Sequence, residues 1–511
     1  MRKFAMTPPI ANRLSRRHWI GGVAGLLGAA GRPAAAVSQS VTGLSTAVPR
    51  YIILMVADGM SVGVPTLAES FSRTVRGRGT AWWELARDPN VTAGWFDMAS
   101  LTSLVTDSAA AASSWGSGSR VRNGAINVLP DNTRLTPLAD VARSARRRIG
   151  LVTTTTVTHA TPAGFAAVNT NRNAEDDIAT QYLDRVDVVL GGGRRFFDAR
   201  RRADARDLLG DFERGGYAVW RTRDELRAAT GTGRVLGLFA TEHLPYRLDR
   251  DQDPRLQANV PTLAEMASAA LTRLNDTPEG FFLLVEGGRV DHAAHANDAA
   301  SILREQLDFD DAVAVVREFA GGRHDTLVIV TSDHGNANPG LNGMGENYLD
   351  SSRVFAHVTR ARASFSEVRR RLLDGAGRSG QPSVNDTGML VEHLLGFAPD
   401  QLQTEVIRTS LARPVATVLN GQLARFDGVL GQIAANHWGI GWTGTTHTAD
   451  VAPVLAFGPG QERFRGLRAN TALFGDLVAL MGQTFSNPAM TPPAALAYAA
   501  RGVAAVEEVP A

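Results

Sequence analysis

A chain of 511 residues, 44% hydrophobic and 20% charged, can bury a large core and does not have the composition of a disordered segment. Its formal net charge of +2 is unevenly placed, because residues 1–36 hold six of the 53 basic residues and no acidic one; the remaining 47 basic and 51 acidic residues leave a formal charge of −4, which argues against a nucleic-acid-binding surface. Cysteine is absent and Lys3 is the only lysine, which excludes thiolate chemistry and, beyond residue 36, a Schiff base or a Walker-type phosphate lysine; any metal site must use His, Asp, Glu or hydroxyls.

At the start of the chain, Ser15-Arg16-Arg17-His18-Trp19-Ile20 is a twin-arginine pattern. A modest apolar stretch from Trp19 to Ala30 and the small residues Ala34-Ala35-Ala36 follow it. The stretch is too short to span a bilayer, and the three parts in this order read as an export signal over residues 1–36. The expectation is a protein exported already folded to the periplasm or beyond, with no second long apolar segment to anchor it in a membrane.

Residues 37–48 read as a leader. Short apolar runs rich in β-branched residues then recur at Tyr51–Val56, Ile149–Val157, Val186–Leu190, Phe281–Val285, Thr326–Thr331 and Pro453–Phe457. Helical patterns lie between them at Leu138–Arg147, Glu175–Leu183, Leu263–Leu274 and Ala299–Phe319. The alternation predicts an α/β fold, a mostly parallel central sheet with helices on both faces. Residues 335–436 break the rhythm: a Gly- and Asn-rich opening leads into mainly helical patterns, read as an insertion. Residues 491–511 read as an Ala-rich helix and a loose tail.

The polar residues with chemical potential fall just beyond strand carboxyl ends, where open α/β sheets bind ligands. Asp58 closes the first strand in "IILMVADGM", where a buried-edge carboxylate needs a cation or a helix N-terminus. "LVTDSAAAASSWGSG", Leu104–Gly118, is either an Ala-rich helix capped by Asp107 or Ser108 or a serine held at a helix N-terminus that favours an anion. "THATPAG" sets His159 and Thr161 after the second strand, and "LLVEGG" sets Glu286 after another; such hard oxygen ligands suit magnesium. Asp291 and His295 stand four apart, a spacing shared by a metal grip on one helix face and by a surface ion pair. Asp333 and His334 end an apolar strand, as metal ligands or as a capped turn, and His447 precedes another strand. "NHWGIGWTG", Asn436–Gly444, reads as a packed aromatic loop, with Trp438 or Trp442 at a substrate mouth as the alternative.

Taken together, "VADGM", "TDSAAAAS", "THATPAG" with "NTNRN", "FLLVEGGRVDHAAH", "TSDHG" and "THTADV" with the later "GPG" resemble the alkaline phosphatase family, in the family's order from residue 51 to 460. The resemblance implies a catalytic domain over residues 37–511 that hydrolyses phosphate monoesters with two zinc ions and one magnesium per chain. It makes Ser108 the nucleophile that becomes phosphoserine, Arg172 the phosphate clamp and Asp107 the residue that orients Arg172. One zinc falls to Asp58, Asp333 and His334, and the other to Asp291, His295 and His447. Magnesium falls to Asp58, Thr161 and Glu286, with His159 and His292 close by. Two zinc ions roughly 4 Å apart suit both the entering and the leaving oxygen of an in-line displacement, and zinc-bound water, with a pKa of about 7, would hydrolyse the phosphoserine. The alanines after Ser108 would let its helix approach the sheet closely.

Some family members carry Asp and Lys where this chain has His159 and His292, so the third site could hold a different metal or bind magnesium through water. A homodimer is a further implication of the resemblance. The rivals are a phosphodiesterase or sulfatase on the same two-metal sheet and a metal-free exported phosphate-binding protein. The sulfatase lacks the Pro and Arg it needs after the serine, and the phosphate binder leaves the ligand-like groups without a role.

Overall fold

Apolar runs become central strands where both faces of a sheet are covered. In the computed structural model, which describes residues 48–377 and 380–499, β1 (Tyr51–Ala57) is such a run, buried at all seven positions. The expected export signal, most of the leader and the tail beyond residue 499 lie outside the described residues. Further strands are β2 (Thr92–Asp97), β3 (Arg148–Thr156), β4 (Val188–Gly192), β5 (Ala218–Trp220), β6 (Val235–Leu238), β7 (Phe281–Gly287), β8 (Thr326–Thr331), β9 (Ala452–Phe457) and β10 (Gly466–Ala469). They form one ten-stranded sheet in the order β10-β2-β9-β8-β1-β7-β3-β4-β6-β5. Only β9 runs antiparallel to its neighbours, β2 and β8. The expected mostly parallel α/β sheet is therefore the fold.

Alternation along β1 divides the core. Ile53 and Met55 face one apolar layer, and Ile52, Leu54 and Val56 face the other. Helix α1 (Ser108–Ser117) and helix α2 (Ala160–Ala166) sit in the second layer, through Ala109, Ala112, Trp115, Ala163 and Phe165. Helix α3 (Arg289–His295) and the long α4 (Ala299–Ala320) sit in the first, through Val290, Ile302, Leu303 and Phe309.

Helix α1 reaches the sheet layer as expected, but its tightest approach is to α2. A Cβ added to Gly116 would stand 2.0 Å from the Gly164 carbonyl oxygen, and one on Gly164 2.5 Å from Ala112 Cβ. The small residues thus seat one site helix against another, which sets the position of Ser108 relative to the β3–α2 turn.

Between β8 and β9 the chain makes the helical excursion that the sequence suggests, with helices at Phe365–Gly375, Val384–Leu395, Gln401–Ala412 and Phe426–Trp438 among others. Two small antiparallel pairs close its stem: Gly335–Asn336 with His447–Thr448, and Gly340–Leu341 with Ile440–Gly441. Phe365, Leu395 and Trp438 join the same apolar layer as Ile53 and Met55. The segment "NHWGIGWTG" is not a loop throughout: it ends a helix at Trp438, which Gly439 (φ 73°) stops in the left-handed conformation. Trp438 is fully buried near Phe365 and edge-on to Phe397, so it lines no mouth; Trp442 packs against the same layer.

Candidate active site

Parallel strands that end together bring their following residues to one edge, and here that edge gathers every candidate ligand. Asp58 follows β1, Glu286 is the penultimate residue of β7, and Asp333 and His334 follow β8. His159 and Thr161 open α2, Asp291 and His295 lie on α3, and His447 enters from the insertion's stem. Asp58, Glu286, Asp333, His334 and Thr161 are at most 1% exposed.

Three ligand sets emerge, in each of which the donor atoms lie within 4.8 Å of one another: Asp291, His295 and His447; Asp58, Asp291 and His334; and Asp58, His159 and Glu286. Asp333 joins the second through Oδ2, 3.3 Å from His334 Nε2, which also lies 3.4 Å from Asp58 Oδ1. Thr161, two residues after His159, adds a buried hydroxyl with no hydrogen-bond partner. Asp58 and Asp291 each serve two sets, so the three are contiguous.

The hydrogen bonds show that a cation fits. His295 donates from Nδ1 to Thr445 O (2.7 Å) and His447 from Nδ1 to Thr106 O (2.8 Å), since a carbonyl can only accept. In their neutral forms both rings then aim the Nε2 lone pair inward, yet the two Nε2 atoms are only 3.0 Å apart, with Asp291 Oδ2 3.3 Å from His295 Nε2. Two acceptors so close need a positive charge between them. Both oxygens of Asp58, Asp333 Oδ2 and Glu286 Oε1 are also buried without a hydrogen-bond donor.

Electrostatics say the same. Burial, then the neighbouring Asp333 and Asp291, pushes Asp58 well above the carboxylate range. Burial and Asp291 lift Asp333 to about 8, and burial lifts Glu286 to about 7 despite the hydrogen bond it accepts from Thr153. Burial pushes Asp291 up too, but His295, His447 and His334 around it hold it well below the usual range. Burial thus disfavours the ionised forms of Asp58, Asp333 and Glu286 while Asp291 stays ionised, and a cation among them would offset that cost.

The nucleophile candidate faces this cluster. Asp107 is the N-cap of α1, its Oδ1 accepting from Ala110 N at 2.9 Å, which resolves the choice of cap in favour of Asp107. Ser108, the first helical residue, places Oγ 3.2 Å from His334 Nε2. Asp107 Oδ2 accepts from Gly124 N (2.9 Å) and from Arg172 Nη1 (3.0 Å), which fixes the guanidinium beside the serine. The other arm of Arg172 reaches His159 Nε2 at 3.1 Å.

Further neighbours, two of them outside the quoted motifs, complete the arrangement. Asn336, in the Gly- and Asn-rich opening of the insertion, donates from Nδ2 to Asp291 Oδ1 at 2.7 Å. Gly59 (φ 67°) admits Asp291, whose Oδ1 would lie 2.4 Å from a Cβ there. His243, just past β6, stands 4.6 Å from His292 and 5.8 Å from His159, ring centre to ring centre. Its signal in the sequence is weak, because β6 is four residues long.

A family model for alkaline phosphatase matches residues 49–482. The chain belongs to the alkaline phosphatase family. Alkaline phosphatase 4 of Bacillus subtilis is 31% identical over 440 residues, covering 83% of this chain and 86% of that protein. Streptomycin-6-phosphate phosphatase of Streptomyces griseus is 31% identical over 495 residues, covering 88% and 94%. The crystal structure of Thermus thermophilus alkaline phosphatase superposes with a TM-score of 0.83 at 34% identity, covering 93% of this chain and all of the other. This alkaline phosphatase is thus a hydrolase, and its family implies small phosphorylated substrates and divalent metal ions. No helix among the described residues is long and apolar enough to cross a membrane.

Proposed function

We propose that this alkaline phosphatase hydrolyses phosphate monoesters through a phosphoserine at Ser108, releasing an alcohol and inorganic phosphate. Three contiguous ligand sets, one of which reaches a serine on a helix N-terminus through His334, carry the reading. The sets that include imidazole, Asp291/His295/His447 with two and Asp58/Asp333/His334 with one, suit zinc; the all-oxygen Asp58/Thr161/Glu286 set beside His159 suits magnesium. When bound, these ions would supply Lewis acidity to the oxygens that enter and leave phosphorus.

The chain's own groups do the rest. Arg172, held by Asp107, offers a planar fork to two nonbridging phosphate oxygens. The start of α1 adds backbone N–H groups and the positive end of a helix dipole beside the anion. Ser108 Oγ attacks phosphorus, the bond to the ester oxygen breaks, and the alcohol leaves with a proton. Water then attacks the phosphoserine from the side the alcohol vacated, the Ser108 Oγ–phosphorus bond breaks, and Ser108 recovers its proton. The signal-like residues 1–36 support export by the twin-arginine route, which carries folded proteins and so suits one that acquires its metals first.

The relative from Streptomyces griseus is named for streptomycin-6-phosphate, itself a monoester; here the conjunction of Arg172 with the oxygen-rich set favours dianionic monoesters in general over diesters. The test is the rate on an aryl phosphate monoester against the matching diester, at alkaline pH with zinc and magnesium. A large monoester preference lost on chelation is expected, and a diester preference would overturn the role given to Arg172. Ser108→Ala should abolish the covalent phosphoenzyme and leave metal content unchanged. A phosphoenzyme that persists would move the nucleophile elsewhere.

A further inference from the structure

Between the helix that carries Ser108 and the loop that carries Arg172 runs a short irregular segment, residues 123–127. Asn123 closes the chain that leads into α1. Its Oδ1 accepts from Asp107 N at 3.2 Å and its Nδ2 donates to Val105 O at 3.0 Å, so one side chain brackets three residues of backbone. Gly124 then holds both partners of the ion pair. Its N–H donates at 2.9 Å to Asp107 Oδ2, the oxygen that also accepts from Arg172 Nη1, and its carbonyl accepts from Arg172 N at 2.8 Å. Gly124 has φ 81° and nothing within 4 Å of an added Cβ, so backbone conformation and not space calls for glycine here.

The far end of the segment is anchored as firmly. Ile126 and Asn169 exchange backbone hydrogen bonds of 2.8 and 2.9 Å, three residues before Arg172. Asn127, fully buried with φ 52°, donates from Nδ2 to the carbonyls of Gly164 (2.7 Å) and Ala167 (2.8 Å) at the end of α2, and from its backbone N to Ser113 Oγ (2.9 Å) on α1. Residues 123–127 therefore splint α1 to the stretch that runs from α2 to Arg172.

We propose that Asn123 is a positioning residue for the phosphate site: by bracketing Val105–Asp107 against Gly124 it sets the distance from Ser108 to the Arg172 guanidinium. This rests on the phosphate-clamp reading of Arg172. The Asp107–Arg172 ion pair supplies attraction but no register, since a guanidinium on a long stem can follow a carboxylate that moves. The Gly124 backbone bonds and the Asn123 bracket supply the register, and a reacting group has to be placed to within a fraction of an ångström.

The test is a double-mutant cycle on the metal-loaded full chain, read as competitive inhibition by inorganic phosphate. Arg172→Ala should weaken inhibition outright. Asn123→Ala should weaken it about fivefold, the net effect of one hydrogen bond, and in the Arg172→Ala background it should cost less than about twofold. Asn123→Asp, which has the same shape and keeps the fold should alanine not do so, should weaken inhibition at least as much, because a carboxylate cannot donate to Val105 O. A loss that came through the metal ligands or through general stability would add to that of Arg172→Ala, so full additivity would overturn the proposal, as would unaltered inhibition in the Asn123 variants. If Arg172→Ala itself left inhibition unaltered, the clamp reading would fall and the proposal with it.

Discussion

At the scale of single residues, the site is a problem of like charges. Asp333 and Glu286 are lifted from 3.8 and 4.5 to about 8 and about 7, so without metal the folded chain holds protons that the unfolded chain releases. Their contribution to stability is then full below about pH 4 and lost as pH rises through 7 and 8, opposite to a salt-bridged carboxylate. The metal-stripped enzyme should show a melting temperature that falls between pH 5 and 8 relative to the loaded enzyme, in which the cations favour the ionised carboxylates. Parallel melting profiles with and without chelator would contradict this. His447→Ala should lose about one zinc per chain, since it leaves a three-ligand set with two; unchanged metal content would remove His447 from the ligands. These residues were legible because their types sit at strand ends in recognisable motifs. Asn336 and His243 were not, because an Asn–Asp or His–His contact between segments 45 or more residues apart leaves no spacing to read.

At the scale of elements, legibility followed burial. The apolar, β-branched runs within β1, β3, β4, β7, β8 and β9 can be read as strands to within a few residues, because a strand covered on both faces is mostly apolar; the buried polar residues of β3 and β7, Thr153–Thr156 and Glu286, come at their carboxyl ends beside the site. β2 alternates buried and exposed residues around Gly94, β5 has three residues and β10 is mostly exposed, so none offers an apolar run. The α1–α2 contact shows the same limit. An alanine run announces close packing but not against what; Gly116 and Gly164, 48 positions apart in the sequence, decide it. Gly116→Ala would drive a methyl into the Gly164 backbone, so it should cost about 1–3 kcal/mol and push Ser108 away from His334. Thermal unfolding together with the rate on an aryl phosphate checks this, and a variant with unchanged melting and activity would show that the helices can part without consequence.

At the scale of the whole molecule, the excursion between β8 and β9 is joined to the catalytic sheet. Phe365, Leu395 and Trp438 share an apolar layer with Ile53 and Met55, and the stem of the excursion carries Asn336 on one strand and His447 on the other. Unfolding should therefore be a single transition, with no protease-resistant sheet fragment surviving removal of residues 343–436; a stable remnant that still binds zinc would refute the coupling. Local pattern was enough to establish the α/β class, the position of the helical excursion and the identity of the chemical groups, because side-chain periodicity and residue type are properties of neighbours along the chain. Which groups share a cation, which ring faces which arginine and what the small-residue helix touches were decided only when the sheet order placed β1 between β7 and β8 and the stem returned His447 to Asp291. Those are distances between segments up to hundreds of residues apart, and they are fixed by the packing of layers, which no local pattern contains.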